Sequence, residues 1–458
     1  MTQSKSERNL TELKEKTIGK LILQYALPNI LGLAFFALYI IVLQIFIAYG
    51  SGLGVHAVGG VGICLPVIFF LFAISMLTGI GAGSHISICL GKKDKETACR
   101  LLGNAVTLSV ILSLAFTLLF LLFFEPLLRL IGTSSENYQY VKDFLIIYIP
   151  SAVIIVLTSS LNHIIRASGY PKKAMLLLFF GLMLNIVITP IILFVWKGGI
   201  KGVAAGMVFC QLLTLLPSVS HFLKKDNPLH FRIQSLHLNL HVTKMIVSIG
   251  FSPFLVNSSM TIIAFFTNNR LMTYGSTFAI DTYTISNSFV TFVVLLLLGL
   301  SQGIQPILGY NHGAEKIDRI FETLKIACST GVMIGLAGLA AARLFSYPFA
   351  TMLSPDNKLV APEVVRCLQF LSIGLPLSGF QMIVTSFFQS IGSAGKAFML
   401  SFTRQFVFLV PALFIFPLFW QTRGIWYALP VSDVSSTLLA GIFFMFQLKK
   451  LRRRKRLI

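Results

Sequence analysis

The chain has 458 residues, of which 55% are hydrophobic and 12% charged, and its mean hydropathy is +0.83. A soluble core cannot bury such a large apolar fraction, so this composition excludes an ordinary soluble domain and predicts an all-α polytopic membrane protein. The net charge of +21 does not indicate nucleic-acid binding, because most lysines and arginines lie in short gaps between apolar runs.

The N-terminal segment 1–20 is polar and lacks an apolar core followed by a small-residue cleavage site, so we expect no removable signal peptide there. A membrane crossing requires roughly 20 apolar residues. Runs of that kind centre, in chain order, near residues 35, 73, 110, 153, 185, 212, 258, 296, 332, 376, 408 and 436. The sequence therefore predicts twelve transmembrane helices.

The longest polar interruption, 224–244, divides these runs into two sets of six. We therefore predict an N-lobe at 21–223, a cytoplasmic inter-lobe linker at 224–244, a C-lobe at 245–448 and a basic cytoplasmic tail at 449–458. An even number of crossings places both termini on one side of the membrane. The excess of lysine and arginine in the loops of that side predicts that it is cytoplasmic.

The two sets of six resemble each other in sequence, which predicts two pseudo-symmetric six-helix lobes around a central cavity. Prolines and glycines recur at a spacing of 222 to 225 residues in the pairs Pro28 and Pro253, Gly81 and Gly303, Gly91 and Gly313, and Gly169 and Gly392. Proline removes a backbone hydrogen bond from a helix, so Pro28 and Pro253 are predicted to bend the first and seventh helices.

The stretch "GLSQGIQPILGYNHGA", residues 299–314, ends the eighth apolar run. It lacks the Lys and Ser or Thr of a phosphate-binding loop. Gly299 and Gly303 instead form a G-x-x-x-G step, which lets another helix approach closely, and Gly313 is placed to end the helix. The amides of Gln302 and Gln305 must find partners inside the bilayer, so both residues are candidates for a substrate or ion pocket.

Features of an enzyme or of a metal site are missing from the sequence. The six cysteines show no metal-ligand spacing, and the predicted spans contain no nucleophile–base pair and no paired carboxylates. We therefore predict no catalytic residues, no metal site and no bound cofactor.

The segment "LGLSQGIQPILGYNHGA" resembles the eighth-helix signature of the multidrug and toxic compound extrusion (MATE) family, in particular its MepA-like branch. Other similar segments follow in the family's order along nearly the whole chain, among them "ALPNILG", "LNHIIRASGYPKKA", "MLNIVITPI" and "GIKGVAAGMVFCQ". The resemblance implies export of amphipathic or cationic small molecules from the cytoplasmic (inner) membrane by alternating access, driven by a proton or sodium gradient. We expect a monomer in the lipid bilayer with no nucleic-acid partner.

The chain departs from the family at two carboxylates. Leu43 and Thr189 stand where many members carry Asp on the first and fifth helices, so coupling through those carboxylates is not implied here. The resemblance also matches four polar, uncharged residues to pocket positions: Tyr39, Asn162, Asn185 and Gln211. Such side chains can hydrogen-bond a substrate or bind sodium, but they cannot release a proton near neutral pH.

Asp433 is the one acidic residue, among 16, that lies clearly within a predicted span. Burying a carboxylate costs several kcal/mol unless it is paired or protonated, so Asp433 is the main candidate for ion coupling. The alternative is a structural salt bridge with Arg404 on the eleventh helix. His163 offers a second titratable group that would replace the lost carboxylates, or alternatively a hydrogen-bonded histidine near a helix end.

Two other functions stay open at this point. The first is a flippase for lipids or lipid-linked oligosaccharides on a related two-lobed fold. The second is a membrane receptor or scaffold without transport activity, in which the missing carboxylates would mark a lost function. The eighth-helix signature favours the exporter over the flippase.

Overall fold

The computed structural model describes residues 13, 15–49, 54–130, 133, 137–224, 229–275, 277–353 and 360–455. Within these ranges the chain is nearly all helical and contains no strand. Among the described residues ten helices are long and apolar enough to cross a membrane, and the pair Tyr138–Tyr148 and Ala152–Ala167, bent by 63°, makes eleven when it is counted as one span. The stretch Ala394–Arg453 spans 60 residues and is interrupted at Gln421 (φ 50°, ψ −132°), so it provides two crossings instead of one.

We number the resulting twelve crossings α1 to α12. In the first half they are α1 (Ile18–Tyr49), α2 (Gly54–Gly91), α3 (Lys95–Leu122), α4 (Tyr138–Tyr148 and Ala152–Ala167), α5 (Pro171–Pro190 with the π turn Ile191–Val195) and α6 (Gly199–Leu223). In the second half they are α7 (Leu240–Gly275), α8 (Thr277–Gly313), α9 (Ile317–Leu344), α10 (Val360–Leu371 and Leu375–Ser390), α11 (394–420) and α12 (422–455). Each predicted run centre lies inside one of these helices, so the predicted all-α polytopic fold is confirmed.

The chain forms two compact units, each of which is discontinuous in sequence. The first unit contains Met1–Glu15 and Phe35–Asn257, and the second contains Lys16–Ala34 and Ser258–Ile458. The division falls within α1 and within α7, a few residues after Pro28 and Pro253 respectively. The N-terminal half of α1 therefore belongs to the same unit as α8, and the N-terminal half of α7 belongs to the same unit as α2.

The backbone repeats between the two halves of the chain. Six of the seven described residues with positive φ, all except Gly199, form pairs at the matching turns: Lys93 with Glu315, Gly169 with Gly392, and Lys197 with Gln421. These pairs have the same spacing as the prolines and glycines in the sequence. The unusual conformation at Gln421 therefore corresponds to the α5–α6 turn at Lys197, which supports reading 394–455 as two helices.

The G-x-x-x-G step of α8 packs directly against α1 in the second unit. A Cβ atom at Gly303 would overlap the backbone of Ala26, and a Cβ at Gly299 would lie 2.7 Å from Ile30 Cα. Such approaches leave no room for a side chain, so both glycines are required by packing. The helix ends at Gly313, as predicted from the sequence.

The first unit contains the corresponding contact between α2 and α7. A Cβ atom at Gly81 would overlap the carbonyl oxygen of Ile246, and one at Gly250 would overlap the carbonyl oxygen of Leu77. His85 Nε2 lies 3.1 Å from Met245 O and adds a hydrogen bond between the same two helices. The glycine pair Gly81 and Gly303 therefore has the same role in both units.

The segment between α6 and α7 is bound to α3 in the first unit. Asn104 Nδ2 donates hydrogen bonds to Ser235 O at 3.2 Å and to His237 O at 3.3 Å, and Asn104 Oδ1 accepts one from the Asn239 backbone N–H at 2.8 Å. Thr107 Oγ1 donates to Leu236 O at 2.7 Å. One asparagine thus satisfies three backbone groups just before α7 begins, which fixes where that helix starts.

Close helix packing predicts a difference between two glycine substitutions. Gly303→Ala places a methyl group against the α1 backbone and should cost about 1–3 kcal/mol of unfolding free energy, the usual range for overpacking. Gly441→Ala, in α12, meets no atom within 4 Å and should be neutral or slightly stabilising, since alanine favours helix. Thermal unfolding of both variants in the same detergent measures the difference, and equal unfolding midpoints would contradict the packing role of Gly303.

Candidate functional site

A buried ion pair joins α11 and α12 in the second unit. Arg404 Nη2 and Nε lie 2.8 Å and 3.0 Å from Asp433 Oδ1. The Asp433 side chain is only 5% exposed and that of Arg404 is 18% exposed. The structure thus shows the pairing that the sequence raised as an alternative, and the one acidic group expected within a span has a cationic partner.

The carboxylate of this pair lies against a break in α10. The 3₁₀ turn Ser372–Gly374 separates the two parts of that helix. A Cβ atom at Gly374 would overlap Asp433 Oδ2, so glycine is needed for the carboxylate to fit. The helical segment that follows presents its N-terminus here, where partial positive charge favours an anion. Arg404 Nη2 also donates to Ser378 Oγ at 3.3 Å.

The cation of the pair lies in an irregular part of α11. Arg404 belongs to the π-helical stretch Thr403–Leu409, a geometry that is rare and frequent at functional sites. Ser432 Oγ donates to the Arg404 carbonyl oxygen at 2.8 Å, which links α12 to this stretch through a backbone group as well. The pair therefore connects a π-helical segment, a broken helix and a continuous helix.

A second group of polar contacts joins α8 to α10. Gln305 Nε2 donates to Gln389 Oε1 at 2.9 Å, and Ser386 Oγ donates to Ser301 O at 2.8 Å. Gln302 is buried in the same helix, with 4% of its surface exposed. The Gln305 amide thus has a partner inside its own unit, and its observed role is to join two helices.

In the first unit, several buried side-chain oxygens have no hydrogen-bond partner among the described residues. Two of them belong to predicted pocket residues, Tyr39 Oη on α1 and Asn185 Oδ1 on α5, and both residues are only 6% exposed. The other end of the Asn185 amide donates to Gly181 O, within its own helix, at 2.9 Å. An unpartnered buried polar atom costs about 1–3 kcal/mol and is uncommon in folded proteins. Both oxygens can accept a hydrogen bond, and the tyrosine can also donate one.

The positions of the two missing family carboxylates are buried. Leu43 is 8% exposed and belongs to an apolar cluster that includes Ile47, Leu71 and Tyr148. Thr189, on α5, is 1% exposed. The first position is thus packed with aliphatic and aromatic side chains, and neither position can titrate near neutral pH.

The remaining predicted pocket residues mostly make helix contacts. Asn162 Nδ2 donates to Ala174 O at 2.8 Å, which links α4 to α5, and its Oδ1 accepts from Arg166 Nη2 at 3.3 Å. Gln211 contributes its backbone carbonyl, which accepts from Thr158 Oγ1 at 3.3 Å. The amide of Asn162 is therefore committed to holding two helices together.

His163 lies on α4 close to Gly79 of α2. Its ring makes no hydrogen bond in the described part of the chain, and the buried cation Arg166 follows one turn later on the same helix. No group of three or more His, Cys, Asp or Glu able to hold a metal ion occurs among the described residues. A relay through His163 would thus operate beside a buried positive charge and without a nearby acidic cluster.

Sequence reasoning missed several residues that the structure places at these sites. Gly374 and Ser378 contact the ion pair, and Gln389 binds Gln305. A buried hydroxyl cluster in the first unit was also missed; Ser109 Oγ lies 2.8 Å from Thr78 Oγ1, which lies 3.1 Å from Ser160 Oγ. The only signal in the sequence was small or polar residues within apolar runs, which does not identify partners.

The relation to known proteins follows from a family comparison. The family model described as MatE matches residues 28–191 and 249–415, which is well over half of the chain. The chain belongs to the MatE family. The resemblance inferred from the eighth-helix signature is thereby confirmed, and it extends through both units.

Relatives and solved structures of MATE proteins match the chain along nearly its full length. The multidrug export protein MepA of Staphylococcus haemolyticus (strain JCSC1435) is 25% identical over 443 residues, which cover 97% of this chain and 96% of the relative. A structure of a multidrug resistance MATE family transporter in an outward-facing conformation matches with a TM-score of 0.90 at 24% identity, over 98% of this chain and 99% of the other. A structure of a MOP superfamily transporter from Pyrococcus furiosus matches with a TM-score of 0.91 at 24% identity, over 99% of this chain and 100% of the other. The fold is that of MATE transporters.

Because Arg404 and Asp433 form an ion pair, substitutions at the two positions should change the free energy of unfolding non-additively. Arg404→Met leaves a buried carboxylate without its cation, and Asp433→Leu leaves a buried cation, so each single variant should lose about 3–5 kcal/mol of unfolding free energy. The double variant removes both charges and should recover most of that loss. Thermal unfolding of the parent, both single variants and the double variant in one detergent gives the coupling energy. Additive losses in the double variant would show that the two side chains do not depend on each other.

Proposed function

We propose that this MATE protein exports amphipathic or cationic small molecules in exchange for protons. It would act as a monomer in the cytoplasmic membrane, with both termini in the cytoplasm. The main support is its similarity to the multidrug export protein MepA over 97% of the chain. Family membership and the buried charges of α11 and α12 agree with a secondary-active transporter, since charged groups inside a membrane commonly mark ion pathways.

The geometry around Asp433 favours a proton over sodium as the coupling ion. Arg404 Nε and Nη2 both donate to Asp433 Oδ1, at 3.0 Å and 2.8 Å. A sodium ion would need several oxygen ligands next to that fixed positive charge, which would repel it. A proton instead binds to the carboxylate itself and removes its charge. In this proposal Asp433 alternates between a paired carboxylate and a neutral acid.

Protonation of Asp433 would change the balance of charge at the pair. Arg404 would then be a buried cation that still donates to the Ser378 hydroxyl but has lost its carboxylate partner. An uncompensated buried charge costs several kcal/mol, so the guanidinium would leave its position. The π-helical stretch of α11 and the break in α10 are the backbone segments beside it, and irregular segments of this kind rearrange more easily than regular helix.

The first unit would contact the transported molecule without taking part in proton transfer. Tyr39 Oη and Asn185 Oδ1, which have no partner in the described part of the chain, are neutral and can hydrogen-bond a cargo molecule. This assignment places cargo binding and proton binding on different residues, as the loss of the two family carboxylates requires.

The proposed orientation is supported by basic residues at the turns on one side of the membrane. Lys92 and Lys93 follow α2, Lys172 and Lys173 begin α5, and the end of α12 is basic. Lysine and arginine accumulate on the cytoplasmic side of membrane proteins. A cysteine introduced at Lys93 can be labelled in intact cells and in opened cells. Comparison of the two would show directly whether this turn faces the cytoplasm.

Replacing Asp433 should remove proton coupling. We expect Asp433→Asn to reduce proton-driven dye efflux from proteoliposomes by at least about tenfold, because the amide cannot bind and release the proton. Asp318→Asn is the matched control, since Asp318 is an exposed carboxylate that pairs with Lys455. The assay imposes proton and sodium gradients separately, with equal amounts of folded protein reconstituted.

The same assay separates the alternatives. Unchanged proton dependence in Asp433→Asn would exclude Asp433 as the coupling group, and efflux driven by sodium alone would exclude proton exchange. Movement of fluorescent lipid-linked sugar without dye movement would establish a flippase. Absence of any transport by the folded parent protein would support the scaffold alternative.

Removal of the Tyr39 hydroxyl should change stability and transport in opposite directions. Tyr39→Phe removes a buried oxygen that has no partner in the described part of the chain, so the free energy of unfolding should stay constant or rise by up to about 1 kcal/mol. Dye efflux should fall several-fold if that oxygen contacts the cargo. Tyr138→Phe, which removes an exposed hydroxyl bonded to Glu125, is the control and should leave transport unchanged. A destabilised Tyr39→Phe protein would argue for a structural role instead.

A further inference from the structure

The last crossing, α12, presents an apolar stripe at the protein surface. Leu438, Ile442, Met445 and Phe446 are exposed by 66%, 45%, 58% and 66% of their surfaces. Ile442, Met445 and Phe446 follow Leu438 by four, seven and eight residues, which places all four side chains on one face of the helix. In a protein that crosses the membrane many times, such a face contacts lipid acyl chains.

The same face becomes basic where the apolar stripe ends. Lys449, Lys450 and Arg453 follow Phe446 by three, four and seven positions, and all three are exposed. With a rise of 1.5 Å per residue, they lie about 4.5 to 10.5 Å beyond Phe446 along the helix axis. The headgroup layer on each side of a bilayer is roughly 5 to 8 Å thick, and long basic side chains extend further still. These three cations therefore lie at the depth of the lipid headgroups.

The opposite side of this helical segment is packed against the protein. Gln447 Oε1 accepts a hydrogen bond from Lys396 Nζ at 2.6 Å, and Leu451 is 4% exposed. Lys455 Nζ pairs with Asp318 at 2.5 Å, and the Arg452 guanidinium lies 5.8 Å from the centre of the Phe321 ring. These contacts fix the rotation of α12 about its own axis. Lys449 and Arg453 therefore point away from the protein.

The charges on the two sides of the segment differ in their partners. Lys455 has an acidic partner on α9, whereas no carboxylate of the described residues pairs with Lys449, Lys450 or Arg453. Three uncompensated cations next to a lipid-facing stripe are complementary to an anionic bilayer surface. An acidic protein partner fits less well, because it would have to approach along a face that continues into the acyl chains.

We propose that Lys449, Lys450 and Arg453 form a binding surface for the phosphate headgroups of anionic phospholipids. We name these three residues the basic face of α12. The proposal concerns lipid contact and does not depend on what the protein transports. A basic residue near an anionic membrane surface strengthens association about fivefold, so removing two of them should weaken it roughly 25-fold.

The experiment compares two double variants of the same helix. Lys449→Gln with Arg453→Gln removes one lysine and one arginine from the basic face, whereas Arg452→Gln with Lys455→Gln removes the same two residue types from the packed side. The full-length proteins are placed in nanodiscs of equal phosphatidylglycerol and phosphatidylcholine. The ratio of the two lipids that each protein retains on transfer to detergent is measured by native mass spectrometry.

We expect the parent and the packed-side variant to retain phosphatidylglycerol in preference to phosphatidylcholine, and the basic-face variant to lose that preference by roughly 25-fold. High salt should weaken the preference of the parent, since exposed charges are screened. Equal retention of both lipids by the parent would overturn the proposal. So would an equal loss in both double variants, which would show that total charge matters and position does not. Circular dichroism of each protein checks that both variants are folded.

Discussion

The ion pair between Arg404 and Asp433 is the interaction on which the second unit depends most. Polar groups inside a bilayer must be satisfied by the protein itself, and a charge is the most expensive group to leave unsatisfied. The pair meets this requirement by joining α11 and α12 against the break in α10. Removal of either charge therefore affects three helices at once.

The two units repeat in backbone but differ in chemistry. Matching turns, glycine contacts and positive-φ residues show that both halves use the same helix packing. The second unit buries an ion pair, whereas the first unit has Leu43 and Thr189 at the family's carboxylate positions, and its Tyr39 Oη and Asn185 Oδ1 have no hydrogen-bond partner among the residues that the structure describes. The two units therefore share one helix packing, and a few side chains within it give them different chemistry.

Sequence reasoning succeeded where a single property decides the outcome. Apolar length determines a membrane crossing, so the twelve helices were predictable, and glycine at a helix contact was predictable from its recurrence in both halves. Asp433 was identifiable because it is the acid that lies clearly within a predicted span. The roles of Gly374, Ser378 and Gln389 were not predictable, because a partner depends on which helices become neighbours. The same reason explains why Asn162 proved to link two helices, while the Tyr39 hydroxyl has no partner among the described residues.

Helix α12 physically connects Asp433 with the basic face. Asp433 and Lys449 lie on one continuous helix, about 24 Å apart at 1.5 Å per residue. If anionic headgroups bind the basic face, they hold the end of α12 at a fixed depth and so hold Asp433 at a fixed height in the membrane. Protonation of that carboxylate would then displace Arg404 and its π-helical stretch in preference to α12. Lipid binding at one end of the helix would thus determine which partner of the buried pair moves.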